Sequence, residues 1–213
     1  MLWDVDGTIA DASAGILPRI EVVLRELDRP QIPADQVNRW IGPPMLESFQ
    51  LLAGLDENEA TIAVARYRQL AGQQGYAKSV RLYDGIVDVI REVHAAGIPQ
   101  TTASTKPGNQ IDAIFEHFQL TDLFVAVHGA TPAPGVNDTK ADVLGRALED
   151  MRSRGVDVSR PVLVGDRHHD VDGAAGFDVP VIFARWGFGS PEEEAGSVLA
   201  VESPAELRDA LLG

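Results

Sequence analysis

The apolar residues of this chain follow two different spacings. Between residues 13 and 80 they recur every three or four positions, which is the spacing of amphipathic helices, and no strand-like run interrupts them. The pattern predicts helices over residues 15–29, 34–41, 45–53 and 57–72, separated by turns that contain glycine or proline. Residues 13–80 are therefore predicted to form a compact all-helical insert.

After residue 80, short apolar runs alternate with helical patterns. The runs predict strands over residues 98–103, 123–127, 161–165, 179–184 and 199–201. Helices are predicted over residues 83–96, 111–118, 139–152, 171–176 and 204–212. Such alternation implies parallel strands joined by right-handed crossovers, in a doubly wound, Rossmann-like α/β fold. We predict a core of residues 1–12 and 81–213, with the helical insert as a second domain between its two parts.

The first strand is predicted to be short. Only Met1, Leu2 and Trp3 precede an acidic turn, whereas a buried strand usually has about five residues. Either this strand is clipped or the natural start of the chain lies upstream.

The net charge of the chain limits the kinds of molecule that it can bind. The 213 residues are 45% hydrophobic, enough for a sizeable core, and they carry a formal net charge of -14. This negative field repels nucleic acids and anionic membranes, so neither is predicted as a partner. An anionic substrate must then meet a local cation or metal that overrides the field.

The chain contains no cysteine, which excludes disulfides, thiolate zinc sites and cysteine nucleophiles. No apolar run reaches the roughly 18 residues of a membrane span, and the first residues do not resemble a signal peptide. These features predict a cytoplasmic protein. A monomer and a homodimer both stay open.

Four polar clusters follow predicted strands, at the edge where parallel sheets carry their reactive groups. The first cluster is the turn after the opening strand, with Asp4 and Asp6 on either side of Val5 and Gly7 to bend the chain. Asp4 is then placed to attack an electrophile while Asp6 handles a proton. The alternative for this cluster alone is a solvated acidic turn.

The second and third clusters can bind an anion. Ser104, Thr105 and Lys106 follow the next strand, where a hydroxyl and loop amides can hold a phosphoryl oxygen. The alternative is an ordinary helix start at Pro107. Lys140 lies at a predicted helix amino end, where the macrodipole opposes a cation, so a nearby anion is expected. The alternative is a surface lysine.

The fourth cluster, Asp166 to Asp170, favours a hard cation. Mg²⁺ takes oxygen ligands, often one or two carboxylates with water and substrate phosphate. Asp166 is predicted as a direct ligand and Asp170 as a supporting one. Adjacent side chains rarely face one ion, so His168 and His169 are interpreted as loop or outer residues rather than zinc ligands.

In this order, DVDGT, Ser104, Lys140 and GDRHHD resemble the four motifs of haloacid dehalogenase phosphatases. The segments IGPPMLESF and ARWGFGS are similar to the phosphoglycolate-phosphatase-like branch, in which a helical cap lies between the first two motifs. The resemblance covers essentially the whole chain. It implies a five-stranded core with the first strand central and a magnesium-dependent phosphatase that works through an aspartyl-phosphate.

The resemblance also implies the role of each site residue. Asp4 would be the nucleophile and a metal ligand, and Asp6 the acid/base that ligates through its backbone carbonyl. Ser104, Thr105 and Lys140 would bind phosphate, Asp166 would ligate Mg²⁺ and Asp170 would support the site, although relatives often carry asparagine at the position of Thr105. Dehalogenases lack the second aspartate, so Asp6 indicates a phosphatase or a phosphomutase, and a phosphate-sensing binding protein is the alternative outside catalysis.

The substrate is the least determined property. A helical cap would close over the site and present residues to the leaving group. Arg19, Arg68 and residues 42–44 are the candidates, with a solvated helix face as the alternative for both arginines. The small phosphorylated substrate can be phosphoglycolate-like, a nucleoside monophosphate, a sugar phosphate or an aryl phosphate.

Overall fold

The computed structural model describes residues 1–133 and 136–213. Its strands are, in chain order, β1 (Leu2–Trp3), β2 (Ala10–Asp11), β3 (Arg81–Leu82), β4 (Thr101–Thr102), β5 (Ser104–Pro107), β6 (Gly129–Ala130), β7 (Leu163–Gly165), β8 (Val181–Ala184) and β9 (Leu199–Val201). Five of them form the central sheet, in the order β4-β1-β7-β8-β9, and every neighbouring pair is parallel. The parallel α/β sheet predicted from the sequence is confirmed.

The helices are α1 (Ser13–Glu26), α2 (Met45–Ala53), α3 (Glu57–Gln74), α4 (Ile86–Ala95), α5 (Gly108–His117), α6 (Lys140–Ser153), α7 (His168–Ala175) and α8 (Pro204–Leu212). Alternate residues of each strand face opposite sides of a sheet. Trp3 and Val164 accordingly pack in one core cluster with α4, α5 and α8, whereas Leu2 and Leu163 pack in a second cluster with α6 and α7. Helices thus cover both faces, as in a doubly wound fold.

Residues 13–80 hold α1, α2, α3 and a 3-10 turn at Val37–Trp40. Helices α1 and α2 both pack on α3. The two connections to the sheet region pair with each other, because β2 runs antiparallel to β3. No helix in the described part of the chain is long and apolar enough to span a membrane.

The structure differs from four sequence-based predictions. Residues 104–107, predicted as a polar loop after a strand, form strand β5 and pair with β6. Residues 34–41 contain only the short turn at Val37–Trp40, because Ile41 is extended (φ -112°, ψ 130°) and buried in the core. Within the described residues, the strand predicted over 123–127 is reduced to one bridge between Ala126 and Thr101. Phe124 packs instead on the ring of Phe115, at 4.7 Å.

The fourth difference concerns β1, which lies second among the five strands rather than at the centre. It is nevertheless an interior strand, with β4 on one side and β7 on the other.

Candidate active site

The site begins where β1 ends. The amide of Asp4 donates to the carbonyl of Val164 at 2.8 Å, so the ends of β1 and β7 are joined. The chain then turns sharply at Gly7, whose φ is +93°. A side chain at Gly7 would collide with the carboxylate of Asp166, so only glycine allows the turn to pass this close.

Three buried carboxylates meet at this edge of the sheet. One oxygen each of Asp4, Asp166 and Asp170 lie within 4.8 Å of one another. Lys140 Nζ, at the start of α6, is 2.6 Å from Asp4 Oδ1 and 2.6 Å from Asp170 Oδ1. It also donates to the carbonyl of Ala103 at 2.8 Å, which fixes it beside the phosphate-binding loop predicted at residues 104–106.

The cluster carries more negative than positive charge. Burial, together with the charges of Asp4 and Asp170, raises the pKa of Asp166 well above its usual value. Burial also raises the pKa of Asp170, although Lys140 opposes this. For Lys140, burial lowers the pKa, but the two neighbouring aspartates outweigh that effect and raise it. A set of oxygen donors with excess negative charge fits a hard cation such as Mg²⁺.

Backbone amides hold two of the carboxylates. Asp166 Oδ2 accepts from the amide of Phe188 at 2.8 Å, and its Oδ1 accepts from the Thr8 hydroxyl at 3.3 Å. Asp170 Oδ2 accepts from the amides of Asp166 and Arg167, at 3.1 and 3.0 Å. Thr8 and Phe188 lie in the motifs DVDGT and ARWGFGS, but the sequence analysis gave neither residue a role, since residue type does not show which carboxylate a hydroxyl or a backbone amide will meet.

Asp6 lies in the same turn but has a different partner. Lys106 Nζ donates to Asp6 Oδ2 at 2.7 Å, while Asp6 Oδ1 is buried without a partner among the described residues. Burial raises the pKa of Asp6, and the Lys106 charge lowers it by less. The sequence analysis grouped Lys106 with the phosphate-binding loop but gave it no role.

The hydroxyl groups of Ser104 and Thr105 have different partners. Ser104 is buried, and its Oγ accepts from the amide of Lys106 at 3.2 Å. The hydroxyl of Thr105 donates to the carbonyl of Gly42 in the helical insert, at 2.8 Å. The hydroxyl proton of Thr105 is therefore committed to the insert rather than available for a phosphate.

The two histidines pair with glutamates outside the carboxylate cluster. His168 Nδ1 is 2.8 Å from Glu193 Oε2, and His169 Nε2 is 3.2 Å from Glu47 Oε1 on α2. Among the described residues, the potential metal-binding group is Asp4 with Asp166, just before α7, and Asp170, in the first turn of α7.

The arginines of the insert occupy different positions. Arg19 is buried, not solvated, and its Nε donates to Gln74 Oε1 at 2.8 Å. Burial raises the pKa of the nearby Tyr67 hydroxyl to about 12, although the charge of Arg19 opposes this shift. Arg68 is half-buried and donates to the carbonyl of Ala133 at 3.1 Å. As far as the described residues form it, the cavity beside Lys106 is lined by Tyr67 and Arg68, whereas Arg19 is not among its lining residues.

Comparison with known families decides the assignment. Residues 1–184 match the haloacid dehalogenase-like hydrolases. The chain belongs to this family. The family predicted from the order of the four motifs is therefore confirmed.

Relatives within the haloacid dehalogenase-like hydrolases have diverse names. The chain is 31% identical to the tyrosine-protein kinase PtkA of Mycobacterium tuberculosis, over 99% of this chain and 72% of that protein. It is 31% identical to a 5'-nucleotidase of Pseudomonas aeruginosa, over 91% and 85% of the two chains. A phosphoglycolate phosphatase of Caulobacter vibrioides is 28% identical, over 94% and 85%.

The fold agrees with this assignment. The crystal structure of a predicted phosphatase from Clostridium acetobutylicum superposes with a TM-score of 0.90, at 33% identity, over 99% of this chain and 96% of that one. This likeness covers the helical insert as well as the sheet.

Proposed function

We propose that this chain is a magnesium-dependent phosphomonoesterase that forms an aspartyl-phosphate on Asp4. The observation that carries the proposal is the pair of buried carboxylates in one turn. Asp4 contacts Lys140, and Asp6 keeps one oxygen free of any described partner. A nucleophile and a separate acid/base are what a two-step hydrolysis requires.

In the first step, Asp4 attacks the phosphorus atom and Lys140 neutralises charge on the phosphoryl oxygens, with the Ser104 hydroxyl as a further donor. Asp6 gives its proton to the departing alcohol oxygen. The raised pKa of Asp6, caused by burial, favours the protonated form that this step needs. In the second step, Asp6 takes a proton from the water that hydrolyses the aspartyl-phosphate.

Mg²⁺ would be held by Asp4, Asp166 and the backbone carbonyl of Asp6, with Asp170 in support. When bound, it supplies positive charge that shields Asp4 from the anionic phosphate. The excess negative charge of the carboxylates supports this assignment, because three aspartates lie together and Lys140 contacts two of them.

The helical insert is proposed as a cap domain that selects the leaving group. The cavity beside Lys106 measures about 60 Å³ and is lined on the insert side by Met45, Tyr67 and Arg68. A cavity this small favours a small alcohol as the leaving group. A nucleoside would require the insert to move outwards. Arg68 is thus the better specificity candidate, and Arg19 would act by orienting Tyr67.

Two other activities stay open, a phosphomutase and a phosphate-sensing binding protein. A cytoplasmic location and a monomeric or homodimeric state likewise stay predictions. The likeness to a protein named a tyrosine kinase adds a third activity to test.

The deciding experiment measures free phosphate from phosphoglycolate, a nucleoside monophosphate, a sugar phosphate and an aryl phosphate, with Mg²⁺ and with EDTA. Metal-dependent release that Asp4→Asn abolishes supports the phosphatase. Isomerisation of the sugar phosphate without release would favour the mutase, and phosphate binding without turnover would favour the sensor. A parallel incubation with ATP and a tyrosine peptide tests the kinase.

A further inference from the structure

Arg167 lies between Asp166 and the first turn of α7, which carries Asp170, but its side chain hydrogen-bonds to other groups. It is only 5% exposed. Its Nε donates to Glu193 Oε2 at 2.8 Å, which anchors the guanidinium to the core. Its Nη1 donates to the carbonyl of Asn38 at 3.2 Å and to that of Ile41, and both carbonyls belong to the helical insert.

The phosphate-binding loop contacts the next carbonyl of the same segment. Thr105 Oγ1 donates to the carbonyl of Gly42 at 2.8 Å. Gly42 has φ +100°, and a Cβ there would come within 2.8 Å of Arg167 Cγ. A left-handed conformation and a close approach both require glycine at this position.

These contacts lie apart from the connections between insert and core. The chain enters and leaves the insert through β2 and β3, which pair with each other. A rotation of the insert about that pair would leave β2 and β3 joined but would separate Arg167 from Ile41, and Thr105 from Gly42. Such hydrogen bonds form only when the insert is closed over the site.

We propose that Arg167 is a positioning residue that, with Thr105, latches residues 38–42 of the insert onto the metal-binding and phosphate-binding loops. The latch means these four partners: Arg167, Thr105 and the carbonyls of Ile41 and Gly42. It makes closure of the insert depend on the arrangement of both catalytic loops. The inference deepens the proposed function, since it takes the insert as a cap that opens and closes.

Hydrogen exchange without substrate tests the latch. Arg167→Lys keeps the charge beside Glu193, but one ammonium cannot reproduce the guanidinium fork. The amides of residues 39–42 should exchange about tenfold faster, the factor expected from one lost hydrogen bond to a charged donor. The matched control is Arg185→Lys, because Arg185 pairs with Glu194 and Glu202 and contacts no described insert residue. It should leave exchange at residues 39–42 unchanged.

A second variant guards against misfolding. Thr105→Val removes only the hydroxyl that reaches Gly42, and it should accelerate exchange in the same segment. Unchanged exchange in both variants, or equal acceleration in β7 and β8, would overturn the latch. In the latter case Arg167 would merely support the core.

Activity separates this inference from the proposed function. If the protein hydrolyses a phosphomonoester, Arg167→Lys should lower kcat/KM for that ester by up to about tenfold, because the hydrogen bond from Arg167 to the insert is lost. Arg185→Lys should keep the wild-type kcat/KM. If no ester is hydrolysed, the proposed function fails while the exchange experiment still decides the latch. Hydrolysis with wild-type kcat/KM in Arg167→Lys would contradict a link between closure and catalysis.

Discussion

Replacing Asp166 by asparagine should stabilise the metal-free protein and remove its response to Mg²⁺. Its carboxylate lies within 4.8 Å of Asp4 and Asp170. Two unit charges at that distance repel by about 3.5 kcal/mol if the effective dielectric constant is about 20. Lys140 offsets part of the charge of both neighbours, so Asp166→Asn should remove the equivalent of one repulsive pair. We expect this to raise the free energy of unfolding of the metal-free protein by roughly 3 kcal/mol at most.

The gain should depend on pH. The pKa of Asp166 is raised in the folded state above 3.8, chiefly by burial and then by Asp4 and Asp170. The folded wild type therefore binds this proton more tightly than the unfolded chain does, and stability is lost as pH rises through the folded pKa. The advantage of Asp166→Asn over the wild type should accordingly grow with pH.

The assay is urea unfolding of both proteins in EDTA and across a magnesium titration, with ionic strength held fixed. The wild type should gain about 2.7 kcal/mol when Mg²⁺ is a hundredfold above its dissociation constant. Asp166→Asn should respond little. The matched control is Asp172→Asn, an exposed position in α7, the helix that follows Asp166, and it should behave as wild type.

Two results would refute this reasoning. A metal-free Asp166→Asn that is less stable than the wild type would mean that the hydrogen bonds from Phe188 and Thr8 outweigh the repulsion. An equal magnesium response in the two proteins would remove Asp166 as a ligand.

Three further predictions concern single carboxylates. Asp4→Asn should abolish phosphate release and leave the circular dichroism spectrum unchanged; appreciable remaining turnover would exclude Asp4 as the nucleophile. Asp6→Asn should slow hydrolysis by about 100-fold or more, and rapid-mixing kinetics should show a smaller loss for an aryl ester than for a poor leaving group; equal losses would contradict the acid role. Burial raises the pKa of Glu193, but Arg167 and His168 lower it to about 2 from 4.5, so its contribution to stability is present above pH 4.5 and is lost as pH falls towards 2. Glu193→Gln should flatten that part of the pH dependence in urea unfolding, and an unchanged slope would count against the ion pair.

The sequence determined the fold class and the edge of the sheet that carries the site. Each polar cluster follows a short apolar run, and parallel strands bring their carboxyl ends to one edge. Asp4, Asp166 and Asp170 therefore meet although more than 160 residues separate the first from the others. Lys140 was identifiable for a similar reason, because a cation at a helix amino end needs an anion nearby.

Only the tertiary structure decided which distant groups these elements meet. Periodicity tells which face of its own helix or strand a side chain takes, but not what packs against that face. Lys106 was thus visible as a loop lysine, while its contact with Asp6 depends on the approach of two loops. The sequence pattern favoured a solvated helix face for Arg19, but the structure buries it against α3. The pattern also predicted a strand at Phe124, which instead packs on the ring of Phe115. The contacts of Lys106 and Arg19 join segments far apart in the chain, so no local pattern of residues encodes them.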